Sequence, residues 1–225
     1  MKPKAVLFDL FETLVTEFRD GRRMTERKTD YMALIGLSNE EFKREWGSRA
    51  ARRMTGELAD YRAVLAEMLA SRGLPNPKDT VERLYEARIQ EKTLPFRDIH
   101  PAITELLGSL REQRIRIGLI SNCTEEEVRF LHQSELAPYF DDIVLSYEVG
   151  LAKPDREIYR LGCRRLAIEP EEAVFVGDGG SRELEGAREA GIRALHACWF
   201  NAHIPSGFEK LHAPSELLDR IRKSS

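Results

Sequence analysis

Five short apolar runs constrain the fold most: residues 5–8 (AVLF), 115–120 (IRIGLI), 143–145 (IVL), 173–176 (AVFV) and 192–196 (IRALH). Runs this short, rich in Val, Ile and Leu, suit strands buried on both faces of a parallel sheet. From residue 100 onward they alternate with helical patterns. One helix is expected over Ala102 to Gln113, and another near Thr124, where Thr-Glu-Glu-Glu makes a capping box. A third is expected from Pro154, a good first-turn residue, and a fourth over Ser181 to Ala190, before Gly191. This alternation predicts an α/β fold, a Rossmann-like parallel sheet flanked by helices on both faces.

Residues 16–94 read differently. Their apolar positions follow helical spacing, as in Phe42, Trp46, Ala50 and Met54, then Leu58, Tyr61, Leu65 and Met68, then Val81, Leu84, Arg88 and Ile89. Ser38 with Glu41 forms a capping box, Gly73 is a stop, and Asn76-Pro77 is a start. No strand is evident there. The expectation is an inserted helical bundle of four helices at 16–94, with residues 1–15 and 95–225 forming the α/β domain.

At 225 residues the chain is long enough for one large domain or a domain with an insert. A net charge of -3, with basic pairs such as Arg22-Arg23 and Arg164-Arg165 interleaved with acids, argues against nucleic acid as a partner. No apolar run approaches a membrane span, and the N-terminus does not read as a signal peptide, so no membrane association and a cytoplasmic location are expected. Cys123, Cys163 and Cys198 are widely spaced and odd in number, which predicts free thiols. Oligomeric state is not legible.

Ligands of an open parallel sheet bind beyond the C-terminal ends of its strands. There the sequence places Asp9, Ser121-Asn122, Lys153 and Gly177-Asp178, with Glu183 five residues beyond Asp178. Each alone could cap a turn or a helix. Together they make the inventory of a metal-assisted phosphoryl-transfer site. A carboxylate such as Asp9 can attack phosphorus and split a hard hydrolysis into two easier steps. The Ser121 hydroxyl and the Lys153 ammonium suit the charge that develops on phosphoryl oxygens. Three acids brought together require a hard, oxygen-liganded cation, so magnesium is expected as cofactor.

The chain resembles the haloacid dehalogenase-like hydrolase superfamily along essentially its full length. "VLFDLFETLV" is similar to the first motif, "IGLISN" to the second, "GLAKPDREIY" to the third and "VFVGDGGSRELEGAREAG" to the fourth. The resemblance implies that 16–94 is a helical cap, a lid that closes over the site. It further implies that Asp9 is the nucleophile, that Ser121, Asn122 and Lys153 hold the transferred group, and that Asp178 and Glu183 join Asp9 and the backbone carbonyl of Phe11 around magnesium. The expected substrate is a small phosphorylated metabolite.

Three positions depart from the pattern of the superfamily's phosphatases. Phe11 stands where they carry a second aspartate that protonates the leaving alcohol, Glu12 stands at a usual glycine, and Glu183 replaces an aspartate. A positioned general acid is worth about 100-fold to 10,000-fold. Phe11 therefore opens alternatives. Haloacid dehalogenases commonly have an aromatic residue here but work without metal. Phosphonatases need a cap lysine, for which Lys28 and Lys43 are available. A phosphatase restricted to good leaving groups, one that takes its acid from Glu12 or the cap, and a catalytically weak phospho-ligand-binding protein complete the set. Arg49, Arg52, Arg53 and Trp46 are candidates for contact with the non-reacting part of a substrate; His100 and His203 are expected to be structural or surface residues.

Overall fold

The computed structural model describes residues 2–19, 21–25 and 29–222. In chain order, β1 (Ala5–Phe8) leads into a small hairpin, β2 (Phe18–Arg19) with β3 (Arg22–Arg23), and then into five helices. These are α1 (Tyr31–Ile35), α2 (Asn39–Ser48), α3 (Ala50–Met54), α4 (Tyr61–Ser71) and α5 (Lys78–Arg97). The remainder alternates: α6 (Pro101–Glu112), β4 (Arg116–Ser121), α7 (Glu125–Val128), β5 (Asp142–Leu145), α8 (Ser146–Val149), α9 (Arg156–Arg165), β6 (Ala173–Gly177), α10 (Glu183–Glu189), β7 (Arg193–Ala197), β8 (Glu209–Leu211) and α11 (Glu216–Arg222).

The sheet runs β5-β4-β1-β6-β7-β8, all neighbours parallel, as the alternation of strands and helices requires. From β1 the chain moves outward on one side through β4 and β5, then returns and moves outward on the other through β6, β7 and β8. The reversal of order lies beside β1, where a crevice is expected at the strand ends. Alternate residues face opposite layers. Val6 and Phe8 join Ile103, Leu106 and Leu110 of α6 and Leu217 of α11, whereas Ala5 and Leu7 join Ile158, Tyr159 and Cys163 of α9 and Leu184 and Ala187 of α10.

Residues 31–97 have an apolar cluster of their own, centred on Leu37, Leu65, Met68, Leu69, Val81 and Tyr85. Its local signals behave as expected: Ser38 Oγ accepts from Glu41 N at 3.1 Å while Glu41 accepts from Ser38 N at 2.9 Å. Two readings need correction. Among the described residues five helices form here rather than four, because one-turn helices such as α1 and α3 are too short to show a period. Strand is also present, in the two-residue hairpin β2–β3.

The α/β portion adds a sixth strand, β8, whose Glu-Lys-Leu sequence lacks an apolar run because it sits at the sheet edge. Helix α9 starts two residues after Pro154, with Asp155 capping it by accepting from Glu157 N at 2.9 Å. The segment opening at Ser181 begins as a short 3₁₀ turn, and regular helix starts at Glu183. At Thr124 half of the capping box forms, with Glu127 accepting from Thr124 N at 3.2 Å. The three cysteines are free and buried. His100 caps α6 by accepting from Ala102 N at 3.2 Å, and His203 is exposed.

Candidate active site

The strand ends bring Asp9, Ser121, Lys153, Asp178 and Glu183 together, all buried. Asp9 leaves β1 between β4 and β6, and its backbone N–H still donates to Val176 O at 2.9 Å. Lys153 Nζ pairs with both Asp9 Oδ1 and Glu183 Oε2. Thr13 Oγ1 donates to the other Asp9 oxygen at 3.2 Å. Glycine shapes the approach at two positions. A Cβ on Gly177 would lie 2.2 Å from Glu183 Oε1, and one on Gly186 would lie 2.4 Å from the Pro154 carbonyl. Only residues without a side chain let α10 close on the loop carrying Lys153.

Asp178 is held open-handed by its neighbours. Its Oδ1 accepts from Gly180 N at 2.8 Å, its Oδ2 accepts from Asn201 Nδ2 at 2.9 Å, and its backbone carbonyl lies 2.8 Å from His196 Nε2. Carboxylate oxygens of Asp9, Asp178 and Glu183 lie within 4.8 Å of one another. Burial pushes the Asp9 carboxyl up against the opposing pull of Lys153. Burial, with the charge of Asp9, likewise pushes the Glu183 carboxyl up from its ordinary value. Lys153 moves up from its ordinary value: burial alone would lower it, and the charges of Asp9 and Glu183 outweigh burial.

Ionising all three carboxyls beside one ammonium would leave a buried excess of negative charge, which is costly without a compensating cation. The donor set is all hard oxygen, so it fits magnesium. Beside it the Ser121 hydroxyl is fully buried and has no hydrogen-bond partner among the described residues. A free hydroxyl donor next to a carboxylate and an ammonium suits an incoming anion.

Other expected residues are engaged elsewhere. Asn122 spends its side chain on the Lys153 peptide, donating to Lys153 O at 2.8 Å and accepting from Lys153 N at 2.7 Å, so its side chain positions the lysine loop rather than reaching for a ligand. Phe11 packs edge-on to Phe96 with centroids 6.3 Å apart, and Lys92 Nζ lies 5.1 Å from its ring centroid. Glu12 adopts a φ of 58° and closes a turn, accepting from Thr16 Oγ1 at 2.6 Å and Glu17 N at 2.9 Å. Both oxygens are thus occupied. Of the lysines singled out, Lys43 is exposed and Lys28 lies outside the described residues.

Thr13, Asn201 and His196 were missed as contributors. Thr13 lies four residues after Asp9, within hydrogen-bond reach across the tight turn that follows β1, a local signal that could have been used. Asn201 and His196 reach Asp178 only through the packing of β7 and the loop after it, which no local pattern reveals.

A family profile for haloacid dehalogenase-like hydrolases matches residues 3–191. The chain belongs to this family and is a hydrolase. A glyceraldehyde 3-phosphate phosphatase of Methanopyrus kandleri is 27% identical over 194 residues, covering 84% of this chain and 81% of that protein. A phosphoglycolate phosphatase of Pseudomonas aeruginosa is 26% identical over 224 residues, covering 98% of this chain and 78% of that protein. Among solved structures, a 2-haloacid dehalogenase from Pseudomonas syringae pv. Tomato superposes with a TM-score of 0.72 at 22% identity, covering 99% of this chain and all of that one, which shows the shared fold. Among the described residues no helix is long and apolar enough to cross a membrane.

Proposed function

We propose that this hydrolase is a magnesium-dependent phosphatase for small phosphorylated metabolites. The observation that carries the reading is the buried excess of carboxylate around Lys153, beside the unpartnered Ser121 hydroxyl. Named phosphatase relatives over most of the chain support it.

In this reading an Asp9 oxygen attacks phosphorus and the bond from phosphorus to the leaving oxygen breaks, giving an aspartyl-phosphate that water then hydrolyses to inorganic phosphate. Lys153 and Ser121 hold the transferred group, and Thr13 and Lys153 orient the Asp9 carboxylate for attack. Asp9, Asp178 and Glu183, with the Phe11 carbonyl, would hold magnesium, which supplies charge stabilisation for the transferring group. Residues 16–94 would act as a cap that excludes water. With Phe11 at the usual acid position and Glu12 tied into its turn, no side chain donates a proton to the leaving oxygen, which departs as an anion and is protonated after release. Substrates with acidic leaving groups are therefore favoured.

The test is hydrolysis of an aryl phosphate with an acidic phenol, with and without magnesium, beside Asp9→Asn. Turnover that needs magnesium and is lost in the variant supports the reading; turnover indifferent to both overturns it. A second reading, 2-haloacid dehalogenation, is favoured only by the aromatic residue at Phe11, and release of halide from a 2-haloacid without metal would establish it.

A further inference from the structure

Buried polar atoms without partners are uncommon, and each carries a desolvation cost unless something satisfies it. In this chain they gather along one seam. Among the described residues, the unpartnered atoms along it are Ser121 Oγ, Thr124 Oγ1, both carboxylate oxygens of Glu126, Arg53 Nε and Arg88 Nε. Ser121 ends β4 in the site described above, Thr124 and Glu126 continue the same chain onto α7, and Arg53 and Arg88 face them from α3 and α5. The seam itself is well fixed, since Tyr85 Oη donates to Glu125 at 2.6 Å and Arg88 pairs with Glu127 at 2.8 Å.

Two of these residues are unusually free. The arginines around Arg53 are consumed by structure: Arg49 pairs with Glu45 at 2.6 Å, and Arg52 with Glu67 at 2.7 Å. Arg53 is 6% exposed and makes no side-chain hydrogen bond or ion pair among the described residues. Its guanidinium lies over the Trp46 ring at 3.8 Å, which fixes its plane without using its donors. Glu126, 1% exposed, offers two acceptor oxygens with no donor on either. Arg53 feels the charges of Glu126 and Glu127 but bonds to neither. On the cap side of Arg53, its stacking partner Trp46 lines, with Tyr61 and Arg88, a cavity of about 930 Å³.

The geometry points to a second recognition site, in which Arg53, Glu126 and Thr124 bind the hydroxyls of a polyol or sugar phosphate whose phosphoryl group lies at Ser121 and Asp9. This rests on the phosphatase reading for the placement of the phosphoryl group. Hydroxyls suit the set because each can donate to Glu126 and accept from Arg53, and they add no charge where cations and acids already face one another. A carboxylate arm would satisfy Arg53 but meet Glu126 and Glu127 as like charges and leave Glu126 orphaned.

The test is calorimetric binding to Asp9→Asn protein in magnesium, with ribose 5-phosphate, O-phosphoserine, phosphoglycolate and inorganic phosphate as probes. Ribose 5-phosphate is expected to bind at least about tenfold tighter than inorganic phosphate, and Glu126→Gln to remove most of that ratio. Arg53→Met, which keeps an apolar contact with Trp46, is expected to do the same and serves if Glu126→Gln fails to fold. A ratio unmoved by either variant, or preference for O-phosphoserine or phosphoglycolate over ribose 5-phosphate, overturns the inference. Should the wild-type chain hydrolyse no phosphate ester while these variants still change the ratio, the phosphatase reading fails and the recognition site stands.

Discussion

The charges at the C-terminal edge of β1 and those along the seam between α5 and α7 are both buried, yet they are balanced differently. Along the seam, Lys92 lies between Glu17 at 2.6 Å and Glu127 at 3.2 Å, and Arg88 pairs with Glu127 and, at 3.6 Å, with Glu91. With Arg23 also paired to Glu17, three cations meet three acids in this part of the seam. At the edge of β1 a single ammonium serves Asp9, Asp178 and Glu183. A matched network holds elements together, whereas an unmatched one is stable only with something added. That contrast separates residues that build this protein from residues placed to act.

The largest effect should come from Asp9→Asn, which is expected to lower turnover by about 10,000-fold or more while the protein keeps its fold, checked by steady-state kinetics beside circular dichroism. Residual turnover near wild type would remove Asp9 from the unmatched side. Next, Lys153→Met strands the buried acids and should cost about 3–5 kcal/mol in urea unfolding without magnesium, with part of the loss restored by adding it. No rescue by magnesium would mean that the acid excess is not a metal site.

Phe11→Asp should raise turnover of alkyl phosphates by up to about 100-fold, and of aryl phosphates much less. Equal gains on both would refute the missing-acid account. The smallest effect belongs to the matched seam. Burial alone would raise the Glu127 carboxyl, but Lys92 and Arg88 hold it down at about 2, below its ordinary 4.5. A lowered folded value means stability present above pH 4.5 and lost as pH falls towards 2. In urea titrations Glu127→Gln should therefore lose less stability than wild type across that window.

How much of this was legible in the sequence follows from where each residue's partners lie. The five buried strands were readable because a strand covered on both faces is largely apolar along its length. Strand β8 escaped because an edge strand of three residues carries no such signature. Asp9, Ser121 and Asp178 were readable as polar residues at the ends of apolar runs, and Lys153 and Glu183 as charged residues in the segments that follow them. Asn122 was readable as a strand-end residue, but its use as a clamp on Lys153 was not, since that needs the loop after β5 folded against β4. Arg53 differs from Arg49 and Arg52 only in what surrounds it in space, which arginines this close together in a helical pattern cannot disclose.

The position of β1 has a consequence for how activity is lost. It is paired on both sides, Phe8 opposite Leu119 on one and Val176 on the other, with Asp9 immediately beyond. Strands of this kind open last, in the same cooperative event that dismantles the whole sheet. Fraying of α11 or of the edge at β8 leaves the attacking group where it was. Inactivation on heating then has no gentle early stage: the enzyme keeps its reactive carboxylate in register until the molecule as a whole lets go.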